Sequence, residues 1–143
     1  MTDSELKKRE FYYYFLDIQT RWMDNDVYGH INNVIYYSYF DTVINRYLIE
    51  VGGLDIQNSP VIGVTAETRC QFFESVSYPE ELQAGLRVKR IGNSSVVYNI
   101  GIFQKNPERM LAAGYFVHVF VNRSSNQPIS IPYKIREALN KII

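Results

Sequence analysis

The segment from Tyr36 to Val51 constrains the fold more than any other part of the chain. Tyr36, Phe40, Val43, Tyr47 and Val51 recur at helical spacing, and a second stripe of Tyr37, Ile44 and Leu48 widens the apolar face. Gly52 and Gly53 then stop the pattern. A helix of about five turns with so broad an apolar surface is more deeply embedded than a surface helix, so other elements must wrap around it.

The rest of the chain supplies the wrapper. Period-two alternation predicts a first strand over residues 10–22. Four more follow the helix: 61–73, 82–89, 96–102 and 111–121, the last apolar on both faces. The turn-like connections IGNSS at 91–95 and KNPER at 105–109 make the last three strands antiparallel neighbours. Pro132 opens a short terminal helix carrying Ile135, Leu139 and Ile142. The crossover helices of a parallel sheet are missing. The expected fold class is therefore α+β: a five-stranded antiparallel sheet curled around a long central helix, with a short C-terminal helix. With 143 residues, of which 12 are Tyr and 8 Phe, residues 1–143 are expected to form one domain with an aromatic core. Tyr115, Val117, Val119 and Val121, set against Phe116 and Phe120, leave the far face of the sheet partly apolar, which an oligomer would cover.

Charge narrows the function. Lys plus Arg and Asp plus Glu both number 15, for a net charge of +0, and no long run of one sign occurs, so nucleic acid is a poor partner. The single Cys70 makes no internal disulfide, MTDSELKKRE is not a secretory signal, and no run reaches the roughly 20 apolar residues of a membrane span. A soluble cytoplasmic protein is expected, with no membrane partner.

Chemistry concentrates in DNDVYGHINN, residues 24–33. A calcium loop starting at Asp24 fails, because its fifth position is Tyr28 and its twelfth Ile35, where oxygen ligands are required. Zinc is weak, since His30, His118 and Cys70 are the only softer ligands and no pair has a ligand spacing. His118, inside YFVHVFV, reads as a packed structural histidine. No G-x-S-x-G elbow, P-loop or dinucleotide fingerprint is present. What remains is a carboxylate-rich turn entering a helix whose first N–H groups can hold an anion or polarise a carbonyl. Asn32 or Asn33 can cap that helix, Gly29 permits the turn, and Asp24, Asp26 and His30 lie close in sequence. A carboxylate, an imidazole and an oxyanion site suit acyl transfer to water. The plainer alternative is a capped helix with a satisfied histidine beside it.

RWMDNDVYGHINNVIYYSYFD, residues 21–41, resembles the R-x-x-D-x-D-x-x-G-H-x-N-N-x-x-Y signature of the 4-hydroxybenzoyl-CoA thioesterase-like branch of the hot dog fold family. QFFESVSYPEEL and RIGNSSVVYNI resemble that family too, in the same order, so the likeness covers nearly the whole chain. It implies a sheet wrapped around a long helix, assembled as a homodimer or homotetramer. The implied activity is hydrolysis of acyl-CoA or acyl-carrier-protein thioesters with neither metal nor organic cofactor. Asp26 matches the catalytic carboxylate, which attacks the carbonyl or activates water. The N–H at Asn33 matches the position that polarises the thioester carbonyl, and Asp24 matches a loop brace. His30 either orients water or Asp26, or fixes the loop. The G-H-x-N-N form tilts the expected substrate toward fatty or other aliphatic acyl groups. Arg87, Lys89 and Arg90, beside the Gly92 to Ser95 turn, are either phosphate contacts or, as the preferred reading, simply the charges of a solvated strand edge, while Tyr36 and Tyr37 read as core or pocket wall. A non-catalytic acyl-CoA binding or assembly module with the same fold is the alternative.

Overall fold

The broad apolar face of the central helix is buried as its spacing requires. In the computed structural model, which describes residues 3–143, a one-turn helix α1 (Asp3–Leu6) and a 3-10 turn (Arg9–Phe11) precede β1 (Tyr14–Gln19). A second 3-10 turn (Trp22–Asp24) leads into α2 (Asn33–Glu50), then β2 (Val61–Phe72), β3 (Glu81–Ile91), β4 (Ser95–Lys105), β5 (Glu108–Asn122) and α3 (Tyr133–Asn140). The first two residues of MTDSELKKRE lie outside the described ones. All neighbours are antiparallel in the order β1-β3-β4-β5-β2, so β1 and β2 form the two edges. This is the five-stranded sheet around a long helix that the resemblance implies.

The sheet's inner face is almost wholly apolar. Leu82, Ala84, Leu86 and Val88 of β3, Tyr98, Ile100 and Ile102 of β4, and Phe116 and Phe120 of β5 are buried against Tyr36, Phe40, Val43, Ile44, Tyr47 and Leu48 of α2. The helix comes closest at Gly114. A Cβ there would sit 2.5 Å from the Phe40 ring, so glycine is what lets α2 settle onto β5. Pro132 stands at the N-cap of α3, whose Ile135, Ala138 and Leu139 close the core's far end, with Ile142 buried just beyond.

One expectation needs correction. The first strand does not extend over residues 10–22, because 3-10 turns occupy both ends of that stretch and leave Tyr14–Gln19 paired with β3. Tyr12 instead lies across the sheet's outer face, buried over Gly85 and Gly101 and stacked edge-on against Phe103. The outer face at Gly85 and Gly101 is thus covered by the chain's own N-terminal segment. Arg87, one of the three candidate phosphate contacts, is engaged within the chain. It donates to the carbonyl of Phe11 and stacks over the rings of Phe11 and Tyr13, so its head pins that segment.

His118 is the structural histidine its strand suggested. It is buried among Tyr98, Phe116 and Phe120, with Nδ1 3.3 Å from the Tyr98 hydroxyl. Burial pushes its pKa down to about 4. The unfolded chain, with an ordinary histidine near 6.5, binds the proton first, so stability present at neutral pH is lost as the pH falls from about 6.5 toward 4. Between pH 7 and pH 5 the loss is about 2 kcal/mol. Denaturant unfolding at the two pH values should show it, and His118→Gln should flatten the dependence. An equal slope in both proteins would remove His118 as its source.

Candidate active site

The loop between β1 and α2 is folded by its own polar groups. Asp26 N–H donates to the His30 carbonyl at 2.8 Å and Gly29 N–H to the Asp26 carbonyl at 3.1 Å, closing a tight turn, while Asn25 and Ile31 bridge its base. Gly29 has φ +84°, a left-handed conformation that side chains resist. Of the two amides offered by the sequence, Asn32 is the cap: its side chain accepts from Val34 N–H at 3.1 Å, and α2 begins at Asn33.

The two aspartates have separate surroundings. Asp24 is fully buried and accepts from Arg21 N–H at 2.9 Å, the Arg21 guanidinium at 2.9 and 3.0 Å, and the Tyr39 hydroxyl at 2.8 Å. Burial pushes its pKa up. The donors from the Arg21 backbone, Tyr39 and the Arg21 side chain outweigh that and hold the carboxyl below the usual carboxylate range. With every contact spoken for, Asp24 is a brace, and its bonds reach side chains as well as the expected backbone. Asp26 is half-exposed. One of its oxygens, Oδ1, accepts from the N–H groups of Tyr28 at 2.9 Å and His30 at 3.4 Å, and the other has no partner among the described residues. Its orientation is fixed through one oxygen while the second stays available.

Asp26, His30 and Asn33 all line one open depression of about 320 Å³, with Tyr36 and Phe72 in its wall. Among the described residues the Asn33 N–H, at the first position of α2, meets no acceptor, which leaves it free to polarise a carbonyl. His30 is exposed and also borders a second hollow toward Ser77 and Arg109. Beside Asp26, on the other side, runs a groove walled by Trp22, Met23 and Val27, all strongly exposed. A larger hollow of about 560 Å³ brings Arg69 and Lys89 to the Tyr115 ring and has Cys70, but among the described residues no carboxylate or imidazole, in its lining. No group of three or more His, Cys, Asp or Glu residues arranged to hold a metal ion occurs among the described residues.

Sequence reasoning missed the second layer. The segment 74–78 clamps the loop from outside: Ile31 N–H donates to the Val76 carbonyl, the Ser77 hydroxyl to the Gly29 carbonyl, and Tyr78 N–H to the Asn25 side chain. Tyr39 was missed as well. The family likeness spans both Tyr39 and the 74–78 segment, but it names none of these contacts: Tyr39 meets Asp24 from 15 positions along the chain, and Ser77 and Tyr78 meet the loop from 48 and 53 positions away, only once the chain is folded.

Comparison with known proteins bears on the family and the fold. Residues 20–139 match the model of the thioesterase-like superfamily. The chain is similar to the PA5185 protein of Pseudomonas aeruginosa strain PAO1, whose crystal structure is 51% identical, covers 94% of both chains and superimposes with a TM-score of 0.92. The YsmA protein of Bacillus subtilis (strain 168) is 25% identical over 126 residues, 88% of this chain and 84% of that protein. At 15% identity the fold is shared with a 1,4-dihydroxy-2-naphthoyl-CoA thioesterase from Synechocystis, with a TM-score of 0.81 over 90% of this chain and 96% of that one.

Proposed function

The chain belongs to the thioesterase-like superfamily, so its general chemistry is thioester hydrolysis, and we propose that it cleaves acyl-CoA thioesters at Asp26. The observation that carries this reading is the depression shared by a half-free carboxylate and an unpaired helix-start N–H. In the proposed reaction the thioester carbonyl oxygen points at the Asn33 N–H, where the helix terminus favours the developing negative charge. The unpartnered oxygen of Asp26 then attacks the carbonyl carbon or takes a proton from the attacking water. When water attacks, the proton taken by Asp26 passes to the departing thiolate as the C–S bond breaks, and water's oxygen ends in the released carboxylate. When Asp26 attacks, C–S cleavage leaves an acyl–Asp26 anhydride that water hydrolyses, one water proton going to the thiolate and Asp26 being freed. His30, on the rim, orients that water.

The acyl group we assign is aliphatic. Trp22, Met23 and Val27 give the neighbouring groove an apolar wall next to Asp26, and the G-H-x-N-N motif points the same way. The open depression and the exposed Phe72 at the free edge of β2 favour a homodimer or homotetramer in which another copy closes the groove. Thiol release measured over a panel of straight-chain and aryl CoA thioesters tests the reading. We expect turnover, highest for straight-chain acyl groups. Aryl substrates turned over faster would overturn the aliphatic assignment, and tight binding by calorimetry without released CoA would identify a binding module instead.

A further inference from the structure

We infer that Ser77 is a positioning residue for Asp26, acting through the peptide unit between Gly29 and His30; this rests on the proposed role of Asp26. A trans peptide is planar, and its C=O and N–H point in opposite directions. At this unit both ends are engaged: the Ser77 hydroxyl donates to the Gly29 carbonyl at 2.5 Å, and the His30 N–H on the other side donates to Asp26 Oδ1 at 3.4 Å. The second bond is at the long limit of useful geometry, so a small rotation of the peptide plane decides whether it exists. Ser77 sets that rotation.

The hydroxyl is itself well placed to do so. Arg109 holds the segment before it, donating to the Glu74 carboxylate at 3.0 Å and the Ser75 carbonyl at 3.3 Å while its Nε is tied to Gln104 at 2.7 Å. On either side of Ser77, Val76 and Tyr78 bond the loop at Ile31 and Asn25. The clamp therefore grips both ends of the turn that carries Asp26, and Ser77 is the member whose bond leads to the carboxylate through one peptide plane.

Ser77→Ala should lower kcat about tenfold, since a displaced reacting group loses rate rather than binding, while KM changes by less than about twofold. Ser77→Thr keeps the hydroxyl and should restore kcat. In the Asp26→Asn background Ser77→Ala should cost nothing further, because it acts through Asp26. A Ser77→Ala enzyme with wild-type kcat, or an equal proportional loss in both backgrounds, overturns the inference and leaves the role of Asp26 standing. Were Asp26→Asn itself fully active, the reading of the site would fall instead. Amide hydrogen exchange then decides the Ser77 link alone: faster exchange at His30 in Ser77→Ala supports it, and an unchanged rate ends it.

Discussion

Asp26→Asn is expected to lower kcat/KM for acyl-CoA hydrolysis by about a hundredfold or more, with the melting temperature almost unmoved. The amide is close to isosteric with the carboxylate, and its oxygen can still accept from the Tyr28 and His30 N–H groups that orient Asp26. The loop therefore keeps its shape. What is lost is the second oxygen, which in the wild type has no partner among the described residues and carries the negative charge that attacks carbon or receives water's proton. An amide nitrogen in that place does neither. Thiol release under matched folding, verified by circular dichroism, is the measurement. Equal rates in the two proteins would take Asp26 out of the chemistry.

Asp24→Ala should do the opposite, unfolding the protein about 10 °C earlier. Three donors converge on this buried carboxylate, from the Arg21 backbone, the Arg21 guanidinium and the Tyr39 hydroxyl. Bonds to a charged acceptor contribute about 1 kcal/mol or more each, and the buried Tyr39 hydroxyl would be left unpaired, so a loss of about 3 kcal/mol follows. For a chain of this size that is a shift of about 10 °C. Asp24→Asn retains one good acceptor and should fall between the wild type and the alanine variant. Thermal melts of the three proteins check the order, and an Asp24→Ala variant as stable as wild type would refute the bracing role. Two aspartates one residue apart are thus expected to separate cleanly, one failing in rate and the other in stability.

Much of this was legible in the sequence because it depends on period and on local backbone demand. The helix from Asn33 to Glu50, the alternation of β3 and β4, and the terminal helix behind Pro132 each announce themselves within a single window of residues. The motif loop was legible for the same reason: Gly29 is needed for a positive φ, and Asn32 sits where a helix start wants an acceptor. Where the first strand ends was not, since apolar alternation continues through Tyr12, and only packing over Gly85 and Gly101 shows that Tyr12 has left the strand and crossed the outer face.

Taken by itself, the sequence determined the element types, the embedded helix, the family likeness and the short list of groups able to do chemistry, all properties that neighbouring residues fix through backbone geometry and side-chain spacing. Tertiary structure alone decided which of the two aspartates flanking Asn25 is buried and fully bonded and which keeps an oxygen free. It also decided that the segment 74–78, about 50 positions away, grips the turn that presents that oxygen. Burial and long-range hydrogen bonding are set by what folds against a residue, so the family likeness could give the two aspartates of DND different roles but not the contacts that each makes.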